Sequence, residues 1–415
     1  MTRKRPSLPG ILVLALAVGV ALAMALPVGL RQHVGDDFHV FWQAGRNFAT
    51  GAPLYHDSLP GARPLKYPPF AALLFTPLAL FSLPVAGVVM SVVNLALWLA
   101  AAVLTRDIVT RTSPGGGAAR WPLVLAFILS AQFFLDNFHH VQMNEVTLVL
   151  ALLGIRAYLD GKDAASGAAF VAATGLKITP VFFVAWLVLR GRRRAALAVI
   201  PLALVVVLVP LVLRGPSRGA AELVEYYHGF LQKHQEGDME LYTGGQNVAA
   251  LVTRMTQPPA DTGAVSYRWF PTDERTAQRV YHALWAAILL VFLARLILLR
   301  VRGAPVSAME LAMVFLTALL LSPITFTTHL VPLLFVLAAV LSSRPALDSV
   351  PRRALAGLIG LGVVVCGLSG RDLVGGWAYH AVGGYSICAW TLLGLFGLTV
   401  AAPGGRVLAA SGTGK

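Results

Sequence analysis

Charged side chains are scarce in this sequence. They make up 13% of its 415 residues, against about 25% in an ordinary soluble domain, and over this length the shortage excludes a soluble enzyme. Acidic residues are scarcer than basic ones, 19 Asp and Glu against 33 Lys and Arg, for a formal net charge of +14. Cysteine is nearly absent. Cys366 and Cys388 both lie in apolar stretches without the spacing of a zinc site or a redox pair, so they read as small core residues. Soluble catalytic signatures are missing as well: there is no phosphate-binding loop, no Gly-x-Ser-x-Gly elbow and no His-Glu-x-x-His. ATP hydrolysis is therefore not expected. Disorder is excluded too, because it requires low hydrophobicity and dense charge.

What is abundant is apolar sequence. Hydrophobic types form 57% of the chain, and the mean hydropathy is +0.72. Apolar runs fall near 11–30, 67–82, 84–105, 121–138, 144–159, 164–190, 195–213, 277–299, 306–323, 326–343, 354–373 and 382–402. At roughly 20 residues per crossing, they predict an all-α polytopic bundle of about 11–13 spans in a single integral-membrane domain, 1–415. The first run follows Met1-Thr-Arg-Lys-Arg5 and resembles a cleavable signal peptide, with Ala21-Leu22-Ala23 as the cleavage site. Its length and the spans that follow favour an uncleaved first helix with a cytoplasmic N-terminus. The basic surplus then gathers in the segments placed inside, and those placed outside are close to neutral, as the positive-inside rule requires. Membrane topology thus accounts for the charge without nucleic acid as a partner.

Two runs are interrupted. Lys177-Ile-Thr-Pro180 divides 164–190 into two short helices, since proline removes a backbone donor and disfavours helix in the residue before it. The run 67–82 is short and rich in proline (Pro68, Pro69, Pro77) and is expected to be re-entrant. Two segments, 31–66 and 214–276, are too long for plain turns and are expected to be external, where long connections are often functional. Within the first, the apolar positions 38, 41, 42, 45 and 48 fit a short amphipathic helix.

Candidate chemistry lies at the ends of spans. Asp36 and Asp37 follow the first span, as an N-cap or as a general base held where a lipid-linked substrate meets a polar acceptor. Lys177 either snorkels to the surface or binds phosphate in a polar cavity. His139, His140, Gln142, Asn144 and Glu145 form a polar cluster; Gln142 and Asn144 suit sugar hydroxyls, and the adjacent histidines lack the spacing of a helical metal site. His329 ends the hinge Ser322-Pro-Ile-Thr-Phe-Thr-Thr-His329, as a structural histidine or as a donor to a sugar or phosphate oxygen. Gly244-Gly-Gln-Asn247, followed by Arg254, opens a helix whose free N–H groups suit an anion. Asp37, Gln142, Lys177, Asn247 and His329 share one expected level, the external ends of spans, although they are far apart in sequence. Neither a metal nor a cofactor is expected.

These elements resemble the GT-C membrane glycosyltransferases, specifically glycosyltransferase family 87. The resemblance rests on Asp37-Phe38 with Ala44, Gly51-Ala-Pro-Leu-Tyr55, Tyr67-Pro-Pro-Phe70 with Pro77-Leu78, Gln142-Met-Asn144, Leu176-Lys-Ile-Thr-Pro180, Gln246-Asn247, and Leu321-Ser-Pro-Ile324 with His329. It departs from the family pattern at Val141, where glycine is usual, at the Gly-Gly-Gln-Asn order around 246, and at Thr327-Thr328-His329. The resemblance implies a GT-C fold whose first external loop carries the catalytic aspartate, here Asp37 with Asp36 beside it. It further implies inverting transfer of a hexose, mannose in the polyprenol-phosphate-mannose-dependent members of the family, from a polyprenyl-phosphate donor to a lipid or glycan hydroxyl at the external face of the plasma membrane. Lys177, His329, Gln142, Asn144, Asn247 and Arg254 would bind donor phosphate or sugar, and 214–276 would close over the donor. The alternative is a transporter or flippase for a lipid-linked sugar. Against it, there is no second copy of the Lys177 break, although transporters often carry matching broken helices. A ligase moving whole glycan chains ranks below both.

Overall fold

The computed structural model describes residues 8–34, 36–55, 64–113, 120–233, 245–258, 268–343 and 350–402. The basic residues at the start of the chain, Gly244, and parts of both long segments lie outside the described residues. Every regular element among the described residues is helical. The chain forms a polytopic helical bundle of GT-C type.

The first helix, α1 (Leu8–Leu30), packs along α4 (Leu83–Thr112). Their crossing is close because Gly29 meets the backbone of Gly87 and Val88, where a β-carbon would collide; small residues bring membrane helices together in this way. Between them the chain makes the expected amphipathic helix, α2 (Asp37–Thr50), with Phe38, Phe41 and Phe48 buried. Next comes α3 (Pro69–Phe75), continued by one 3₁₀ stretch, Thr76–Leu80. The apolar stretch Pro69–Leu80 is too short to cross a bilayer, in keeping with its proline content. Gly45 lets α2 rest on the Phe75 carbonyl.

Two polar turns follow. Helix α5 (Arg120–His139) reaches the turn before α6 (Asn144–Leu159). Helix α7 (Asp163–Leu176) stops at Lys177, whose extended backbone breaks the run, and α8 (Val181–Leu189) resumes after Pro180. The run 164–190 is therefore two short helices, split at the expected residues. Helix α9 (Arg193–Arg214) follows.

The segment 214–276 is largely helical where it is described: α10 (Pro216–Tyr226), a π-helical turn Tyr227–Gln232, and α11 (Val248–Thr256). Arg214 ties this segment to α2. It pairs with buried Glu222 and donates to the carbonyls of Asn47 at 2.9 Å and Ala52 at 2.5 Å. The chain continues through α12 (Glu274–Val301) into α13 (Ala308–Leu321), which is buried over its whole length. After the Ser322–Thr328 hinge come α14 (Leu333–Ser343), α15 (Val350–Leu368), α16 (Arg371–Gly384) and α17 (Ile387–Ala401).

Four single helices among the described residues are long and apolar enough to cross a membrane: α4, α5, α9 and α12. A fifth arises if the bent pair formed by α16 and α17 counts as one crossing. Several other apolar runs are helices of 10–17 residues. The apolar runs counted in the sequence thus include many that proline, glycine and polar hinges cut into pieces shorter than one bilayer thickness.

Candidate active site

Four polar breaks converge on one cavity of about 710 Å³. They are the start of α2, the turn between α5 and α6, and the hinges at Lys177–Thr179 and Ser322–His329. Asp37, Asp136, His140, Gln142, Lys177, Thr179 and His329 line it, together with the aromatic side chains of Tyr67, Tyr226, Phe230 and Tyr379. A smaller cavity of about 50 Å³ lies behind the same hinges, lined by Asn144, Lys177 and His329.

Asp37 is the first residue of α2 and faces the cavity. The Gln142 side-chain amide donates to its Oδ2 at 2.7 Å, and the His140 ring stands 3.8 Å from the same oxygen. Tyr67 lies close enough for the Asp37 charge, after burial, to hold its phenol in the protonated form. Asp36 occupies the N-cap position with an extended backbone, yet its side chain makes no cap bond. It accepts instead from the His33 backbone N–H at 2.8 Å and does not line the cavity. The two neighbouring carboxylates are thus turned to different surroundings.

Gln142 is aimed by a strained turn. Val141 adopts φ +47°, in the left-handed region that favours glycine and is rare for a β-branched residue. This is the position where the family pattern usually has glycine. The Asn94 side chain fixes the next residue, donating to the Gln142 carbonyl at 2.9 Å.

Lys177 is held by a chain of neutral amides. Its Nζ donates to Asn144 Oδ1 at 3.0 Å. The Asn144 amide nitrogen donates to Asn137 Oδ1 at 2.9 Å and to the Thr328 carbonyl at 3.1 Å. Asn137 in turn donates to buried Glu145. No carboxylate pairs with Lys177 among the described residues, and burial lowers its pKa to about 7. His329 accepts from the Phe326 N–H at its Nδ1, 2.7 Å away. Burial and the nearby Lys177 charge hold it well below its ordinary value. A neutral ring bonded in this way carries its proton on Nε2 and is a donor there.

The remaining candidates serve as joints. Asn247 caps α11 by accepting from Ala250 N–H at 2.9 Å. Its amide donates to the carbonyls of Ser322 at 2.6 Å and Pro323 at 2.7 Å, fixing the hinge that carries His329. Arg254 is buried and donates to Ser386 Oγ at 2.7 Å. Neither lines the cavity. The cavity brings together Asp37, Gln142, Lys177 and His329; Asn144 supports Lys177 from behind.

Sequence reasoning passed over Asp136, Tyr226, Phe230 and Tyr379. Asp136 accepts from the Thr327 hydroxyl and sits in the last turn of a long apolar helix. An acidic residue at membrane depth is itself a signal of function. The aromatic residues carried no such mark. No group of three or more His, Cys, Asp or Glu able to hold a metal ion is present among the described residues.

The model of glycosyltransferase family 87 matches residues 65–323. The chain belongs to glycosyltransferase family 87. The match takes in Gln142, Asn144, Lys177, Asn247 and Arg254; Asp36 and Asp37 precede it and His329 follows it. A polyprenol-phosphate-mannose-dependent alpha-(1-2)-phosphatidylinositol mannoside mannosyltransferase of Mycobacterium tuberculosis is 30% identical over 69% of this chain and 64% of its own length. One of the same description from Mycolicibacterium smegmatis is 30% identical over 53% of this chain and 52% of its own. The chain therefore spans less than two thirds of the curated relatives it matches. No solved structure matches it.

Proposed function

We propose that this family 87 chain transfers a mannosyl group from a polyprenyl-phosphate donor to a hydroxyl of a glycolipid or glycan acceptor, with inversion, at the external face of the plasma membrane. The observation that carries the reading is the meeting of opposite chemistries in one cavity. The Asp37 carboxylate, the Lys177 ammonium and His329 all line it. In the step itself, Asp37 removes the acceptor proton as that oxygen attacks the anomeric carbon. The bond from that carbon to the phosphate oxygen breaks with its electron pair on the phosphate. Lys177 and the His329 Nε2–H stabilise the charge that gathers there. Gln142 keeps the carboxylate aimed, and the aromatic lining residues offer apolar faces to sugar rings. The names of the relatives support this donor and suggest a phosphatidylinositol mannoside as the first acceptor to try. The basic surplus of the opposite loops supports the external face.

The test is turnover of polyprenyl-phosphate mannose by the purified protein and by Asp37→Asn and Asp36→Asn. Loss of a general base lowers the rate by about 10²–10⁴-fold, so Asp37→Asn is expected in that range. Asp36→Asn should stay within a few-fold of wild type. Equal losses in both, or undiminished turnover in Asp37→Asn, would overturn the assignment.

A further inference from the structure

The proton taken by Asp37 must leave a site that two substrates fill. Asp37 itself is poorly placed to release it, because its side chain is 24% exposed with the cavity empty and the acceptor would cover it. His140 stands beside it on the outer side, 54% exposed. Its Nδ1 lies 3.8 Å from Asp37 Oδ2, and its Nε2 lies 3.6 Å from Asp136 Oδ1. The imidazole therefore bridges two carboxylates, with one face on solvent. Asp136 is itself fixed by the Thr327 hydroxyl, and the His140 backbone N–H donates to the Asp136 carbonyl at 3.1 Å. Both separations exceed hydrogen-bond length, as is common in empty sites that tighten on loading.

We propose that His140 is the proton outlet of Asp37, with Asp136 as its positioning residue. This rests on Asp37 being the base. When the acceptor oxygen bonds to the anomeric carbon and polyprenyl phosphate departs with the electron pair, the acceptor proton moves to Asp37. From the carboxyl it passes to Nδ1 of neutral His140. The imidazolium so formed lies between two ionised carboxylates, which stabilise it. It then gives up one proton to water, so that each turnover restores Asp37 ionised and His140 neutral.

The experiment uses the full chain with polyprenyl-phosphate mannose as donor and phosphatidylinositol mannoside as acceptor. Turnover of His140→Ala, His140→Gln, Asp136→Asn and His139→Ala is followed between pH 5.5 and 8.5 in weak buffer, with and without added imidazole. The charged and titratable groups around His140 are its neighbour His139 on α5 and the groups that line the same cavity: Asp37 on α2, Asp136 on α5, Tyr379 on α16, Lys177 and His329. They are all unchanged in the two His140 variants, so a change confined to those variants reports that ring. A loss of about 10- to 100-fold in kcat is expected for both His140 variants, with donor KM little changed and several-fold recovery in imidazole. Asp136→Asn should lower kcat less, with donor KM little changed and partial recovery in imidazole; His139→Ala should match wild type. Unchanged kcat in the His140 variants overturns the proposal, as does a loss that imidazole does not restore. Undiminished turnover in Asp37→Asn sinks the base itself, whereas a dead Asp37→Asn beside an active His140→Ala sinks only the outlet.

Discussion

Helices α8 and α13 have charge set close to both ends, and the two ends treat it differently. At one end Arg190, 6% exposed, meets Glu310, 1% exposed, in a bidentate pair. The guanidinium donates to the two carboxylate oxygens at 2.6 and 2.5 Å. Trp186 adds a third bond to the carboxylate at 2.7 Å, and the Ala304 carbonyl takes another guanidinium N–H at 2.9 Å. Every charge there is answered by its opposite. At the other end, beyond one helix length, Lys177 is answered by the neutral amide of Asn144. A cation so held keeps its field for whatever enters the cavity. The difference separates a charge that closes a structure from one that waits for an anion.

The largest effect is expected where the pair is closed. Arg190→Met or Glu310→Gln leaves one buried charge uncompensated, which costs about 3–5 kcal/mol. Thermal unfolding in detergent should show that loss, while turnover per folded molecule at low temperature changes little. Lys177→Met should behave in the opposite way. It removes a lysine that is partly buried without a carboxylate partner, so stability should hold or rise. Turnover should fall by roughly 10- to 100-fold, the worth of a charged hydrogen bond to phosphate of about 1.5–3 kcal/mol. If Lys177→Met instead unfolds as readily as Arg190→Met, the two ends are alike and the contrast fails.

A smaller effect is the pH dependence of donor binding. Burial places the free Lys177 amine near pH 7, and a bound phosphate raises its pKa, since the anion favours the ammonium. Binding is then strongest below the free value and weakens as pH rises from about 7 toward the bound value. The proposed donor is a phosphodiester whose own charge is constant over this range. Donor KM should therefore climb above neutral pH in the wild type, and Lys177→Arg should flatten the curve because guanidinium stays charged. A flat wild-type profile would show that Lys177 does not meet the phosphate.

Much of this was legible before any coordinates, and the reason is local chemistry. Proline and lysine in an apolar run forced the break between α7 and α8, and the spacing of Phe38, Phe41 and Phe48 required α2. What stayed hidden depended on neighbours. The runs that become α9 and α13 are both apolar all round, so no periodicity distinguishes them. Yet α13 is buried throughout, and α9 buries only Ala195, Pro210 and Arg214. Lipid and protein interior look the same to a hydrophobic pattern. Polar residues were ambiguous for a related reason. Asn247 and Asn144 are the same residue type at similar breaks, but the carbonyls of Ser322 and Pro323 claim one, and Lys177 claims the other. Asp136 went unnoticed because Thr327, which bonds its carboxylate, comes from a distant part of the chain, although His140 stands only one turn along from it.

The smallest expected effect concerns the turn that aims Gln142. Val141 is fully buried against Phe38, Phe41 and Met143 while its backbone holds φ +47°, so packing and strain oppose each other there. A non-glycine residue in the left-handed region costs about 1–3 kcal/mol, and burying a valine side chain gains about 1.5–3 kcal/mol. Val141→Gly relinquishes both and should shift stability by no more than about 1 kcal/mol. Val141→Ala loses most of the packing but keeps the strain, so glycine should be at least as stable as alanine. In a regular helix the order is reversed, with glycine worse by about 1 kcal/mol. Thermal unfolding of the two variants reads the sign directly, and alanine proving clearly the more stable would mean that the turn holds no strain. With turnover kept in Val141→Gly, the aim of Gln142 rests on Asn94 and the turn geometry; with turnover lost, the buried valine is what keeps the amide on Asp37.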